Sequence, residues 1–306
     1  MEKLINIVFL LIMPFLYIGI INRVKAFWAG RKGSTIIQPF YDFFKLLKKG
    51  EVISKTASFI FQIAPVISFS SIFLSGLLVP MVQRLCFFSV EGSFILFSYI
   101  LALGKFLSII GAMDTGSSFE GMGASREATF SNLVEPSFFI IIGTLALISN
   151  NLDFSEMLNL LKGQNPFYVL IIVLIVISFF VMLLTEGCRV PVDDPNTHLE
   201  LTMIHEVMVL DNSGVDMAFI FYASGMKMVI ITSLIAALVI PANWNFLASL
   251  CGWLGIEVVT AFVIGTVESL IARLKMNHVP QFIFIMTSTA IIILSATALW
   301  LKGGIR

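Results

Sequence analysis

The stretch between Glu186 and Asp216 holds the densest set of proton-carrying side chains in the sequence. It reads EGCRVPVDDPNTHLELTMIHEVMVLDNSGVD and places seven carboxylates and two histidines beside a single cation, Arg189. These acidic and imidazole groups belong to Glu186, Asp193, Asp194, Glu200, Glu206, Asp211, Asp216, His198 and His205. Histidine exchanges a proton near neutral pH. Residues 186–214, here called the acidic loop, are therefore candidates for proton exchange.

The acidic loop carries signs of partly buried structure. Most acidic loops are solvated surface segments, but here apolar residues are interleaved with the acids. Pro191 and Pro195 interrupt any continuous helix in the first part, because proline has no amide hydrogen. Asn196 or Thr197 is placed to cap a short helix over His198–Val209. We therefore expect a folded segment that packs against the rest of the chain.

Other kinds of chemistry have little support in this sequence. The three cysteines, Cys86, Cys188 and Cys251, form no CxxC pair, and His205-Glu206 lacks a second histidine four residues on. Phosphate-binding and dinucleotide-binding glycine motifs are also missing. The 19 basic and 19 acidic residues cancel, which removes the electrostatic case for nucleic acid. We predict no metal site and no cofactor bound by this chain.

The elements that position the acidic loop are predicted to be membrane-spanning helices. Of the 306 residues, 58% are hydrophobic and only 12% are charged. Eight apolar stretches are long enough to cross roughly 30 Å of hydrocarbon. They cover residues 4–22, 58–80, 90–112, 133–150, 166–185, 215–240, 247–272 and 279–301. The sequence predicts an all-α polytopic membrane protein with one integral membrane domain, residues 1–306.

The positive charges between spans predict the orientation. Twelve basic residues fall in the loops after spans 1, 3, 5 and 7, and five lie on the opposite side. The twelve are Arg23, Lys25, Arg31, Lys32, Lys45, Lys48, Lys49, Lys55, Arg126, Arg189, Arg273 and Lys275. By the positive-inside rule they face the cytoplasm together with the acidic loop. Both termini are then outside the inner (cytoplasmic) membrane of the cell.

Two segments between spans have their own character. Residues 30–56 contain, from Pro39, apolar positions at helical spacing between charged ones, which predicts an amphipathic helix on the cytoplasmic membrane surface in contact with lipid. The segment after span 3 is rich in glycine and serine and is predicted to be a loop. It ends at Glu135 and Pro136, at the predicted start of span 4. There the dipole of the helix amino terminus would stabilise the Glu135 carboxylate.

Four charged residues lie well inside predicted spans, at least four residues from either end: Lys105, Lys227, Glu257 and Glu268. Each intramembrane charge costs about 2.5–3.5 kcal/mol on insertion scales, so these groups should pair or line a hydrated path. Glu257 and Glu268 are eleven residues apart, close to three helical turns, and point to nearly the same side. One pair would suffice to fix helix packing, and several acids and bases together are better explained by a proton path.

The motifs now assembled resemble a known family. The segments RKGSTIIQPFYDFFKLLKKG, GASREATFSNLVEPS and EGCRVPVDDPNTHLELTMIHEVMVLDNSG, with eight spans, are similar to the membrane-arm heel subunit of respiratory complex I and its counterpart in group 4 membrane-bound [NiFe] hydrogenases. The matching residues are Gln38, Pro39, Asp42 and Lys45 of QPxxDxxK, Arg126 and Glu135 flanking the third cytoplasmic loop, and Glu186, Arg189, Pro191, Asp193, Glu200 and Leu201 of ExxRxPxDxxxxxxEL.

Departures from the complex I pattern favour the hydrogenase branch of the family. Asn196 and His198 stand in place of part of a glutamate run, and Val207-Met208-Val209 replaces a valine–glutamate–tyrosine segment. In span 6 an alanine–glutamate–tyrosine element is replaced by Tyr222-Ala223-Ser224, with Lys227 shortly after. Formate hydrogenlyase subunit 4 and hydrogenase-4 component C are of this branch.

The resemblance implies a non-redox membrane subunit that docks a hydrophilic arm and couples electron transfer to proton or sodium translocation. The implied partners are hydrogenase-like large and small subunits, which carry iron–sulfur centres and, in an active hydrogenase, a nickel–iron centre, and antiporter-like membrane subunits. The proposed path comprises Glu135, Glu186, Asp193, Glu200, Glu206, Asp211, Lys105, Lys227, Glu257, Glu268, His198 and His205. Gln38, Pro39, Asp42, Lys45, Arg126 and Arg189 would dock the arm or line a quinone-like cavity. A quinone-chamber subunit of a complex I-type dehydrogenase and a passive membrane anchor remain the alternatives.

Overall fold

The computed structural model describes residues 2–84, 86–158, 166–194, 203–241 and 243–302. Within these ranges the chain is helical and contains no strand. The helices are α1 (Glu2–Trp28), α2 (Gln38–Leu47), α3 (Phe59–Leu78), α4 (Ser93–Asp114), α5 (Ser118–Ser149), α6 (Phe154–Met157), α7 (Pro166–Glu186), α8 (His205–Met208), α9 (Gly214–Val239), α10 (Phe246–Leu270) and α11 (Val279–Lys302).

Eight of these helices are long and apolar enough to cross a membrane. They are α1, α3, α4, α5, α7, α9, α10 and α11, where the span of α11 includes the preceding single turn from Met276. A helix satisfies all of its backbone hydrogen bonds internally, which hydrocarbon requires. The predicted all-α, multi-pass architecture with eight spans is confirmed.

Helix α9 lies at the centre of the bundle. It packs against α1, α2, α3, α7 and α10, and it is the most deeply buried of the eight spans. Helices α5, α7 and α11 form a second group, because α11 packs against both α5 and α7. The position of α9 places Lys227 in the interior of the protein rather than against lipid.

Helices α3 and α4 form the most extensive helix pair, and small residues explain their closeness. A Cβ atom added at Gly104 would overlap Ser71 Oγ, and one at Gly111 would lie 2.6 Å from Ala64 Cβ. Helices in membranes associate through such small residues, which let the backbones approach. The tight α3–α4 pair turns the next residue of α4, Lys105, towards the protein interior.

Helix α2 is amphipathic and has no buried residue, as expected for a helix at the membrane surface. Its apolar side meets the spans through Phe43, whose ring lies 5.5 Å from Phe15 and 5.2 Å from Tyr222. Gln38 Nε2 donates a hydrogen bond of 2.9 Å to Asp42 Oδ1 on the exposed side.

The glycine-rich segment after α4 is helical, which corrects the prediction of a loop. Helix α5 begins at Ser118 instead of residue 133 and continues through Pro136 to Ser149. Glu135 therefore lies in the middle of a helix, and the predicted role at a helix amino terminus is wrong. The small side chains serve packing: a Cβ at Gly123 would overlap Val207 and approach the Ile204 carbonyl oxygen to 2.9 Å.

The predicted short helix in the acidic loop is confirmed only in part. Among the described residues of the loop, the helical segment is the single turn His205–Met208, and it ends before Val209. Residues 195–202, including His198 and Glu200, lie outside the described residues. The turn at His205 begins without a side-chain cap from Ile204. Asp193 takes over this function, as the site geometry shows.

Candidate functional site

Glu186 is shared by two lysines from neighbouring helices. Its Oε1 lies 2.5 Å from Lys105 Nζ on α4, and its Oε2 lies 3.4 Å from Lys227 Nζ on α9. The side chains are 9%, 14% and 17% exposed, respectively. The three charges lie at the end of α7, where the chain leaves the spans and enters the acidic loop. Three charges of unequal sign in a poorly solvated place interact strongly.

These three residues line a cavity of about 250 Å³. Its polar side also includes Glu127 and Glu135 of α5 and Cys188 and His205 of the acidic loop. Its apolar side is formed by aromatic and aliphatic residues of α3, α4, α5 and α7, among them Phe61, Phe97, Phe138, Phe139 and Met182. The cavity thus connects a hydrocarbon-lined space to a cluster of acids and bases.

Asp193 organises the acidic loop. Its Oδ2 accepts hydrogen bonds from the backbone amides of Ile204 at 3.1 Å and His205 at 3.0 Å. Its Oδ1 lies 3.0 Å from Arg273 Nη2 in the loop after α10. Asp193 is 1% exposed. A buried carboxylate with these donors fixes the start of α8 and holds His205 at the cavity, which is a positioning role.

Two further contacts attach the acidic loop to α5. Arg126 Nη1 donates to the Met203 carbonyl oxygen at 2.7 Å, and the Asp211 amide donates to Glu120 Oε1 at 2.8 Å. Glu120 is fully buried, whereas the side chain of Asp211 is exposed. Asp211 thus contributes its backbone to this contact.

Arg189 and Glu268 belong to a separate charge cluster. Arg189 Nη1 lies 3.3 Å from Glu268 Oε1, and Lys25 Nζ of α1 lies 2.6 Å from Glu268 Oε2. The cluster links α1, α10 and the start of the acidic loop. Glu268 therefore pairs with these two cations, and not with Lys105 or Lys227 as the sequence suggested.

Glu257 is fully buried in α10 and pairs with no cation among the described residues. Ser233 Oγ donates to its Oε1 at 3.1 Å, while Trp253 Nε1 donates to the same Ser233 oxygen at 3.1 Å. Glu257 therefore has Ser233 of α9 as its hydrogen-bond partner instead of Lys105 or Lys227, and its role in the path stays a prediction.

The structure brings together part of the predicted path and separates the rest. Lys105, Glu135, Glu186, Lys227 and His205 meet at the cavity. Glu206 is half-buried beside His205. Gln38, Pro39, Asp42 and Lys45 are on α2. The path roles of the cavity residues and of Glu206, and the docking role of the α2 residues, stay predictions.

Glu127 and Cys188 are additions that sequence reasoning missed. One ligand atom each from Glu127, Cys188 and His205 lie within 4.8 Å of one another, and all three residues are partly buried. Burial, and then the nearby Glu127 carboxylate, raise the pKa of the Cys188 thiol well above its usual value. Cys188 also has a left-handed backbone, with φ of 51°. Neither sequence spacing nor a motif could join three segments that only tertiary packing brings together.

Fold and site together define a multi-pass, all-α membrane protein with a charged cavity between its helices. A family model described as NADH dehydrogenase matches residues 1–298. The chain belongs to this family, and the resemblance inferred from the motifs is confirmed.

Individual relatives point to the two branches of the family. The chain is 30% identical to hydrogenase-4 component C of Escherichia coli (strain K12), over 97% of this chain and 94% of that protein. It is 23% identical to formate hydrogenlyase subunit 4 of the same strain, over 86% and 87%. It is 27% identical to NADH-ubiquinone oxidoreductase chain 1 of Chondrus crispus, over 76% and 72%.

A solved structure has the same fold. The chain superposes with a TM-score of 0.77 on a chain of the membrane-bound sulfane sulfur reductase, an archaeal respiratory membrane complex, over 95% of this chain and 98% of that one. The two sequences are 19% identical. The eight-span arrangement is thus a fold found in membrane-bound respiratory complexes.

Proposed function

We propose that this chain is the non-redox membrane subunit of an energy-converting, hydrogenase-like complex in the inner membrane. In this role α2 and the acidic loop dock a hydrophilic arm of hydrogenase-like large and small subunits, which carry iron–sulfur centres and, in an active hydrogenase, a nickel–iron centre. Antiporter-like membrane subunits would lie beside the spans. The chain couples electron transfer in the arm to proton or sodium translocation. The 30% identity to hydrogenase-4 component C supports this branch.

The observation that carries the proposal is the sharing of Glu186 between Lys105 and Lys227 at the cavity wall. One carboxylate cannot neutralise both ammonium groups, so the charge balance of the cavity also depends on Glu127 and Glu135, in a place with little solvent. Such a cluster responds to any charge that arrives nearby, because interactions are screened weakly there. A proton or cation entering the cavity would change which lysine Glu186 holds.

The acidic loop offers the connection between this cluster and the arm. His205 and Glu127 lie at the cavity and on the side of the loop, and Asp193 holds His205 in place. A movement of the loop, caused by reduction of the arm, would displace His205 relative to the Glu186 cluster. Glu135, on the same cavity, would receive or release the proton.

The test replaces the two cavity glutamates in the assembled complex. Glu135→Gln keeps the shape of the side chain and removes its charge, and Glu186→Gln leaves both lysines without their shared carboxylate. We expect both variants to assemble and transfer electrons while the number of ions moved per electron falls to near zero. The measurement is ion uptake into vesicles alongside electron transfer. Glu91→Gln, on an exposed loop on the opposite side, is the matched control.

Full coupling in both glutamine variants would contradict the proposal. Loss of assembly in Glu135→Gln and Glu186→Gln, with coupling unchanged in whatever complex remains, would identify the chain as a passive anchor instead.

A second candidate is a quinone-binding subunit. The apolar, aromatic side of the cavity favours it, because ligand sites are mostly apolar with a few convergent polar groups. In that case the purified complex should reduce a soluble quinone, and Phe138→Trp should raise the KM for quinone by filling the cavity. Hydrogen evolution from a low-potential donor without quinone reduction would exclude this candidate.

A further inference from the structure

We propose that Glu127, Cys188 and His205 form a binding site for a divalent transition-metal ion of the zinc class, with one coordination position open to the cavity. The site concerns this chain alone and does not depend on the function of the complex.

The first support is the geometry of the three side chains. Their ligand atoms lie within 4.8 Å of one another and come from three segments: α5, the turn after α7, and the first residue of α8. With metal–sulfur bonds of about 2.3 Å and metal–nitrogen bonds of about 2.0 Å, tetrahedral ligand atoms lie roughly 3.3–3.8 Å apart. The two most distant ligand atoms must therefore approach each other by about 1 Å, and rotation of the side chains can provide this movement.

The second support is that features of the backbone hold each of the three residues in place. Gly123 lets α8 press against α5, and Glu127, one helical turn later, lies on the same side of α5. Asp193 fixes the His205 amide at 3.0 Å. Cys188 takes a left-handed conformation that costs energy in a residue with a side chain. Each ligand is thus held by an identifiable backbone feature, as a preorganised site requires.

The third support is that the donor atoms are available. Among the residues that the structure describes, neither the Glu127 carboxylate nor a His205 ring nitrogen makes a hydrogen bond, and the Cys188 thiol has only a 4.0 Å contact with the Glu186 carbonyl oxygen. Thiolate, imidazole and carboxylate together are the donor set of zinc and its neighbours, whereas magnesium and calcium prefer oxygen alone.

Some charges near the three residues oppose the binding of a cation, and others favour it. Lys105 and Lys227 disfavour a cation, but both are engaged by Glu186, which lies on the same cavity. Metal binding would release the Cys188 thiol proton to solvent, and the thiolate so formed would supply, with Glu127, two negative charges that neutralise a divalent ion locally. A bound ion would tie the acidic loop to α5 through bonds stronger than the Arg126–Met203 hydrogen bond.

The experiment uses the full-length chain purified in mild detergent, stripped with a chelator and titrated with Co²⁺ as a spectroscopic substitute for Zn²⁺. We expect one equivalent to bind with a thiolate-to-cobalt charge-transfer band that is absent from Cys188→Ala. Glu127→Gln and His205→Gln should bind at least about tenfold more weakly. The matched controls Glu91→Gln, Cys251→Ser and His278→Gln, at exposed positions, should bind like the unmodified chain.

A second measurement needs no variant. Zn²⁺ should protect Cys188 from a small alkylating reagent, and chelation should remove that protection, while exposed Cys251 reacts equally in both conditions as the internal reference. Equal alkylation of Cys188 with and without Zn²⁺, together with no charge-transfer band in the unmodified chain, would overturn the proposal.

Discussion

Three of the glutamates whose buried side chains the structure describes have different electrostatic surroundings. Glu186 is shared by Lys105 and Lys227, Glu268 is held by Lys25 and Arg189, and Glu257 has only the Ser233 hydroxyl among the described residues. Glu186 adjoins the cavity and can respond to its contents. Glu268 ties helices together. The structure therefore separates a candidate coupling residue from a structural one, although both are acids inside a membrane protein.

Removing Glu268 should destabilise the fold. Glu268→Ala leaves Arg189 and Lys25 without their carboxylate, and breaking a buried ion pair costs about 3–5 kcal/mol. Lys25 is 24% exposed, so water will offset part of the loss and we expect about 3 kcal/mol. Thermal unfolding in detergent should show a clearly lower midpoint. Glu91→Ala, on an exposed loop, should unfold at the unmodified temperature. Equal midpoints for the two variants would contradict a structural role of the cluster.

Glu257 should tolerate loss of its charge. Glu257→Gln retains an oxygen that accepts from Ser233 Oγ, so the free energy of unfolding should change by less than about 1 kcal/mol. Glu257→Leu removes the acceptor and should cost about 1–3 kcal/mol. The two variants can be compared by thermal unfolding in the same detergent. A greater loss of stability in Glu257→Gln than in Glu257→Leu would show that Glu257 is held as a carboxylate.

At the scale of helices, tertiary packing overrides local composition. Glycine disfavours helices in the interior of an element by about 0.5–1 kcal/mol. Even so, α5 runs through Gly123, because the absent side chain lets α8 and the acidic loop lie against it. Gly104 and Gly111 of α4 bring α3 and α4 together in the same way. At these three positions a glycine inside a helix marks a contact between elements, and not a break.

Two glycines provide a matched test of this conclusion. In Gly104→Ala the new methyl group would overlap Ser71 Oγ, so we expect a loss of about 1–3 kcal/mol from overpacking. A Cβ added at Gly143 of α5 would have no atom within 4 Å, and Gly143→Ala should be neutral or stabilise by a few tenths of a kcal/mol. Thermal unfolding of both variants decides the matter. Stabilisation by both substitutions would refute the packing argument.

Over the whole molecule, the loops after α1, α4, α7 and α10 meet at one end of the bundle. Leu274 donates to the Pro191 carbonyl oxygen at 3.0 Å, Val52 donates to Ser213 Oγ at 3.0 Å, and Ser58 donates to Asp114 Oδ2 at 2.7 Å. This end collects the basic residues that the positive-inside rule assigns to the cytoplasm. In the proposed function, this end is the surface that would dock the hydrophilic arm.

The absolute orientation can be measured with two exposed positions at opposite ends. Lys48→Cys, just beyond α2, should react with a membrane-impermeant thiol reagent only in inverted vesicles. Glu91→Cys, before α4, should react only in vesicles of the native orientation. Both are compared in a chain in which Cys251 is replaced by serine. The reversed pattern would show that the acidic loop faces outwards and would remove the cytoplasmic arm from the proposal.

The sequence by itself determined the class of protein, the eight spans, the surface helix α2 and the family. Each follows from local properties: long apolar runs, helical spacing from Pro39, and motifs of contiguous residues. Such properties need no knowledge of which helix lies beside which. The charged residues at 105, 227, 257 and 268 could also be identified as intramembrane groups that need partners.

Only the tertiary structure decided which charges pair and where a site forms. Lys105, Glu186 and Lys227 come from three helices, and Glu127, Cys188 and His205 come from three segments, so no spacing along the chain relates them. The start of α5 was missed for the same reason, because the segment that packs against Gly123 lies about eighty residues further along the chain. Pairing depends on helix rotation and neighbours, which the packing of the complete bundle determines.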